Sequence, residues 1–220
     1  MTPIKAIIFD MDGVIVDSEP RHEQAFLDVF REMGYAGRHG VHFPDYYGRS
    51  DLTLWVDFIA KHRPPQPLEE LATRKQDRFL ELIRAEQPLF DGLPELVEKL
   101  SAHYPLAVAS GSQHPVIDAV LAMRQLRRFF TAVVSSTDVK QGKPAPDIFL
   151  RAAELLGVAP ADCCVVEDST AGVEAGRAAG MQVIAITNTY PAEALSRATR
   201  VVRTYAEIER ELLLPMKSED

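Results

Sequence analysis

Cysteine is scarce. The 220 residues contain two, Cys163 and Cys164, and their adjacency inside an apolar run excludes both a disulfide framework and a spaced thiolate metal site. They read as buried core thiols. Long hydrophobic runs are also missing, because no segment approaches the ~20 apolar residues that span a bilayer. The opening Met-Thr-Pro-Ile-Lys lacks the charged, apolar and small-residue regions of a secretion signal, so no membrane partner and a cytoplasmic location are expected. Basic residues are outnumbered, 24 Lys and Arg against 32 Asp and Glu, and the formal charge of −8 argues against a nucleic-acid partner. It leaves small anionic substrates open, since these respond to local charge and bound metal. Repeats and low-complexity segments are absent, and a monomer is expected.

What is present is an alternation. Short apolar runs at Ala6 to Phe9, Leu106 to Ala109, Ala132 to Val134, Cys163 to Val166 and Val183 to Ile186 read as buried strands. Between them lie helical periodicities carried by Leu93, Leu96, Val97 and Leu100, by Val116, Ile117, Val120 and Leu121, and by Ile148, Phe149, Ala152, Leu155 and Leu156. Such alternation predicts an α/β fold with a Rossmann-like parallel sheet covered on both faces. It is interrupted by a stretch with helical periods only. The expected division is therefore a core of residues 1–16 and 89–220 and an inserted all-helical domain of residues 17–88.

Three helices are expected in the insertion. The first carries Ala25, Phe26, Val29, Phe30 and Met33 and ends near Gly34; the second carries Leu52, Trp55, Val56 and Ile59. Pro64, Pro65 and Pro67 then break the pattern before a third with Leu68, Leu71, Ala72, Phe79, Leu82 and Ile83. Lys75 falls on that third apolar stripe. Either its stem snorkels to water, or its ammonium enters a cavity to meet an anionic ligand.

Ligands of open parallel sheets bind at the carboxyl ends of strands, so the residues that follow each apolar run carry the functional argument. The first run ends in Asp10-Met11-Asp12-Gly13, the second in Ser110-Gly111-Ser112, and the fourth in Glu167-Asp168-Ser169, while Gly142-Lys143-Pro144 follows the third. Together they supply a nucleophilic carboxylate, a second carboxylate for proton transfer, a hydroxyl, an ammonium and an acidic pair suited to a hard cation. Phosphoryl transfer needs this inventory, because cations, hydroxyls and backbone N–H groups must stabilise the phosphoryl oxygens. Oxygen ligands favour Mg²⁺. Each motif alone is commonplace; four in order, each behind its own apolar run, are not.

On these residues the chain resembles the haloacid dehalogenase superfamily of phosphohydrolases. The stretches from Phe9 through Glu19, with His22 beyond, and from Gly142 through Phe149 resemble the branch of β-phosphoglucomutase and of sugar-phosphate and phosphoglycolate phosphatases. The resemblance implies a helical cap inserted after the first motif. It implies Asp10 as nucleophile, Asp12 as general acid and then base, and Ser110 and Lys143 as holders of the transferring phosphoryl group. Asp10, the backbone carbonyl of Asp12, Glu167 and Asp168 would hold Mg²⁺. Arg49, within Gly48-Arg49-Ser50, and Lys75 match substrate-gripping cap positions, and His22 is a candidate beside them. Gly111, Ser112 and His114 complete the expected substrate-binding set.

Dehalogenation itself is disfavoured, since it gives Asp12 no alkoxide to protonate. A phospho-accepting receiver module would carry its acidic pair on the first strand and its acceptor on a later one, the reverse of this order. A purely structural domain gives no reason for Asp10 and Asp12. Between phosphatase and sugar-phosphate mutase, the loop after Ser110 decides: the mutase pattern has a lysine and an asparagine there for a second phosphate, and this chain has Gln113 and His114. The expectation is a phosphatase acting on small phosphorylated metabolites, with the mutase as the alternative.

Overall fold

A computed structural model describes residues 3–46 and 51–213. The chain divides into two compact units, Met1–Asp17 with Leu89–Asp220, and Ser18–Pro88.

The first unit is built on a six-stranded sheet. Its strands are β1 (Ala6–Phe9), β2 (Leu106–Ala109), β3 (Phe130–Val134), β4 (Cys163–Glu167), β5 (Gln182–Ile186) and β6 (Arg200–Val202), in the order β3-β2-β1-β4-β5-β6. All neighbours are parallel. β1 and β2 are wholly apolar and buried along their length, as strands covered on both faces must be. The two cysteines lie on β4 and are fully buried, where desolvation pushes the thiols up to about 11 for Cys163 and about 12 for Cys164. They are inert core residues.

Five of the six strands follow the apolar runs. β6 has no such signal: it is three residues long, begins with the exposed Arg200 and lies at the sheet edge, paired only to β5. An edge strand needs little apolar content.

The helices of this unit are α4 (Leu93–Ser101), α5 (His114–Ala122), α6 (Asp147–Leu156), α7 (Thr170–Ala178) and α8 (Tyr205–Leu213). The inserted unit holds α1 (Glu19–Glu32), α2 (Asp51–His62) and α3 (Leu68–Glu86). α6 packs on β1, β2 and β3, α7 on β4 and β5, and α4 against α8. α7 and α8 had no counterpart in the periodicity. α7 carries Gly172 and Gly176, which lower helix propensity and empty its apolar stripe.

In the inserted unit α1 ends at Glu32, before Gly34, and α2 ends at His62, before the prolines. Phe26, Phe30, Trp55, Phe58 and Leu71 form its apolar core. The stripe expected on α2 is displaced: Leu54, Trp55 and Phe58 are buried, whereas Leu52 and Val56 are each 52% exposed. On α3 the buried residues are Leu71, Lys75, Phe79 and Ile83, and Ala72 is exposed. Both helices have more apolar residues than one face can cover, so periodicity alone rightly includes Trp55, Leu71, Phe79 and Ile83 but also takes in the exposed Leu52, Val56 and Ala72. No helix among the described residues is long and apolar enough to cross a membrane.

Candidate active site

The strand register aligns the carboxyl ends. Phe9 pairs with Val108 on one side and Val166 on the other, which brings Asp10 level with Glu167 and puts Ser110 one residue beyond the Ala109 that Asp10 faces. β1 is the strand at which the order reverses, with β2 and β3 to one side and β4, β5 and β6 to the other. Such a switch point leaves a crevice where the loops diverge.

Lys143 is the hub of this crevice. Its Nζ lies 2.6 Å from Asp10 Oδ1 and 2.6 Å from Glu167 Oε1, and 5.0 Å above the Phe149 ring. Glu167 is fully buried, and its other oxygen accepts from the Asp168 N–H (2.7 Å), the Ser169 N–H (2.6 Å) and the Ser169 hydroxyl (3.0 Å). The same Ser169 hydroxyl accepts from the Gly172 N–H at 3.0 Å, capping α7. The acidic pair is thus tied to a helix start.

Asp12 is bonded by the serines that follow β2. One of its carboxylate oxygens accepts from Ser112 Oγ at 2.9 Å and from Ser110 Oγ at 3.3 Å, and Ser110 Oγ in turn accepts from the Ser112 N–H at 3.0 Å. Gly13 follows with φ +77°, a left-handed conformation that L side chains resist, and a Cβ there would lie 1.8 Å from Asp168 Oδ2. Glycine is therefore required twice over, by the turn and by the approach of the acidic pair.

The electrostatics are unbalanced. Asp10, Glu167 and Asp168 are buried, and one ligand oxygen of each lies within 4.8 Å of the others. Three carboxylates share the single ammonium of Lys143. Desolvation pushes Asp10 up to about 7; Lys143 opposes this, and Glu167 and Asp12 reinforce it. Asp168 is also raised, by burial first and then by Glu167 and Asp10. Burial alone would lower Lys143, but Asp10 and Glu167 outweigh it and hold the ammonium charged. A cluster of buried carboxylate oxygens with excess negative charge fits a hard divalent cation.

The remaining expected residues are distributed as follows. Gly111 is exposed, and Ser112 is part of the Asp12 network. His114 begins α5 and pairs with Asp138 at 3.0 Å, while Gln113 is the exposed residue just before the helix. The Asp138 carboxyl lies below the usual range, chiefly through its bond from the Ser135 backbone. In the inserted unit, Lys75 is 1% exposed, so it does not snorkel to water. Its ammonium meets Asp51 Oδ2 at 2.5 Å and His22 Nδ1, and stands over the Phe26 and Phe79 rings at 4.8 and 5.1 Å. An ion pair with aromatic walls explains a lysine on an apolar stripe. His22 stacks on Phe79 with centroids 3.9 Å apart. Arg49 lies outside the described residues.

Three residues of this region escaped the sequence reading. Thr189 hydrogen-bonds the Asp168 carboxylate, Asn188 donates to the Gly13 carbonyl at 2.8 Å, and the Tyr205 hydroxyl donates to the Val14 carbonyl at 2.7 Å. Asn188 and Thr189 follow β5. The strand-end argument applied to the fifth strand finds them, but Tyr205, which begins α8, has no sequence signal.

Comparisons with known proteins show the family. The haloacid dehalogenase-like hydrolase family matches residues 4–180. The chain is 34% identical over 184 residues to the fructose-1-phosphate phosphatase YqaB of Escherichia coli K12, covering 81% of this chain and 94% of that protein. It is 34% identical over 185 residues to hexitol phosphatase B of the same organism, covering 83% of each. The crystal structure of a Thermotoga maritima protein assigned as a β-phosphoglucomutase superposes with a TM-score of 0.79 at 26% identity, covering 96% of this chain and all of that one. The chain therefore belongs to the haloacid dehalogenase-like hydrolase family, in the branch shared by sugar phosphatases and β-phosphoglucomutases.

Proposed function

We propose that the protein hydrolyses small phosphorylated sugars or sugar alcohols, with Mg²⁺ and through an aspartyl phosphate on Asp10. The observation that carries this reading is the bridging of Asp10 and Glu167 by Lys143 beside an Asp12 carboxylate held separately by Ser110 and Ser112. Two carboxylates two residues apart have different partners, as two different roles require.

In the first step an Asp10 oxygen attacks phosphorus, the bond to the sugar oxygen breaks, and Asp12 gives its proton to that leaving oxygen. In the second, Asp12 takes a proton from water as the water oxygen attacks the phosphorus of the aspartyl phosphate. Inorganic phosphate leaves and Asp10 is restored. Ser110 and Lys143, whose donors rest on carboxylates, turn them to the phosphoryl oxygens. Asp10, Asp168, Glu167 and the Asp12 backbone carbonyl would hold Mg²⁺, which when bound neutralises charge where the phosphate meets the carboxylates. The inserted helical unit supplies further selectivity in this reading, with Arg49, Lys75 and His22 as its candidate substrate residues. Support for a sugar or sugar-alcohol phosphate comes from the names of the two Escherichia coli relatives.

A mutase reading has the Thermotoga maritima structure in its favour. Against it stand the neutral Gln113 and a His114 engaged by Asp138, which leave the loop without a lysine for a second phosphate. The test is phosphate release from hexose and hexitol phosphates with Mg²⁺ or with chelator. It is paired with β-glucose 1-phosphate plus catalytic glucose 1,6-bisphosphate, read for glucose 6-phosphate and free phosphate. Hydrolysis is expected to dominate; isomerisation faster by about a hundredfold, a difference of ~2.7 kcal/mol in barrier, reverses the choice.

A further inference from the structure

The turn that follows the first strand carries both Asp10 and Asp12, yet its most permissive residue, Gly13, sits next to Asp12. A glycine peptide unit rotates with little steric penalty, so something outside the turn must set it. Inside the turn, the N–H groups of Val14, Ile15 and Val16 all donate to the Met11 carbonyl, at 3.2, 2.7 and 3.1 Å, and that of Gly13 donates to the Val16 carbonyl at 2.9 Å. These bonds leave the Gly13 and Val14 carbonyls pointing outward.

Both outward carbonyls are taken by side chains from the far end of the chain. Asn188 Nδ2 donates to the Gly13 carbonyl at 2.8 Å and to the Tyr205 hydroxyl at 2.9 Å, and that hydroxyl donates its own proton to the Val14 carbonyl at 2.7 Å. The chain of bonds runs in one direction only. A carbonyl can only accept, so the Asn188 amide must present nitrogen to Gly13, its second N–H meets Tyr205, and the phenol proton has one place left to go. Burial, partly offset by the Asn188 bond, pushes the Tyr205 hydroxyl above its ordinary value and keeps it a donor. The Tyr205 ring packs against Phe90 with centroids 6.0 Å apart, and the Phe90 N–H donates to the Ile15 carbonyl at 3.4 Å. The clamp therefore has its own support.

We propose that Asn188 and Tyr205 are positioning residues that lock the Gly13–Val14 backbone, and so aim the Asp12 carboxyl at the leaving oxygen of the substrate. The inference rests on the phosphatase reading above. Neither residue touches the reacting atoms. If Asp12 is their target, their loss harms the step that needs a proton more than one that does not.

The experiment uses Tyr205→Phe and Asn188→Ala in the full chain, with thermal unfolding to establish folding. For each, kcat/KM is measured on p-nitrophenyl phosphate, whose phenolate departs without a proton, and on fructose 1-phosphate, glucose 6-phosphate and sorbitol 6-phosphate, whose alkoxides need one. kcat/KM reports events through departure of the leaving group, which isolates the first proton transfer. The expected result is a loss of about tenfold or more on the alkyl phosphates that exceeds the loss on p-nitrophenyl phosphate by about fivefold or more. A smaller difference between the two substrate types overturns the inference, because a merely structural role damages both alike. If Asn188→Ala does not fold, Tyr205→Phe decides, since it removes one oxygen and keeps the ring packing. Wild-type protein inactive on every one of these esters overturns the phosphatase reading itself, a distinct outcome.

Discussion

The Lys143 ammonium lies 2.6 Å from Asp10 Oδ1, so the candidate nucleophile is held by the cation that would serve the transferring phosphate in the proposed mechanism. Both groups are largely buried, 13% and 8% exposed in their side chains, so neither water nor salt screens the pair strongly. Its two halves respond differently to mutation. Asp10→Asn removes the nucleophile and one of three crowded carboxylates; phosphate release is expected to fall by about 10³ or more, with the thermal midpoint unchanged or raised. Lys143→Met leaves the carboxylates without their ammonium and is expected to cost ~3 kcal/mol or more of stability as well as activity. Denaturant unfolding and a phosphate-release assay on both proteins check the contrast; an Asp10→Asn enzyme within tenfold of wild type would falsify the nucleophile assignment.

Cation binding should stabilise the fold directly. Mg²⁺ at about 100 times its dissociation constant is expected to add ~2.7 kcal/mol. Asp168→Ala removes a carboxylate from the cluster of Asp10, Glu167 and Asp168. Differential scanning calorimetry with Mg²⁺ or chelator should show an upward shift in the wild type and almost none in this variant. Equal shifts in the two would place the cation elsewhere.

Gly172→Ala is expected to reverse the usual sign of a helix substitution. Alanine in a helix interior ordinarily gains about 1 kcal/mol over glycine. Here the new Cβ would lie 1.6 Å from Glu167 Oε1, the oxygen bonded to Lys143. We expect destabilisation by ~1–3 kcal/mol together with loss of turnover, because Glu167 must shift to make room. Stability at or above wild type in urea unfolding would show that the helix start yields instead.

The inserted unit carries its own pH dependence. Asp28 is buried, which alone would raise its carboxyl, but hydrogen bonds from Arg78 (2.6 Å), Gln24 (2.8 Å) and Arg31 (2.8 Å) prevail and lower it below 3.8. A group depressed in the folded state contributes stability that is present above its unfolded value and lost as pH falls through the folded one. Asp28→Asn should therefore cost ~1.5 kcal/mol or more at pH 7, and the gap between the two proteins should close below pH 3.8. A gap that stays constant down to pH 3 would rule out the charge as its source.

The sequence by itself determined the α/β alternation, the helical insertion and four of the strand-end clusters, because each is a local property. Buried parallel strands must be apolar along their whole length, and the residues that end them are read directly after the run, as with Phe9 and Asp10 or Val166 and Glu167. Tertiary structure alone decided which carboxylate receives which donor. Nothing in the order Asp10-Met11-Asp12 says that Lys143 will bridge Asp10 to Glu167 while the serines take Asp12; the register of β1 with β4 sets Asp10 beside Glu167, and Lys143 reaches both from the segment before α6. It also decided which apolar residues of α2 are buried, since Leu52 and Trp55 are equally hydrophobic to a periodicity and differ only in what stands opposite. Tyr205 is the clearest case. It reaches the Val14 carbonyl from 191 residues away, and a hydrogen bond between a side chain and a distant backbone atom leaves no trace in the local pattern of either.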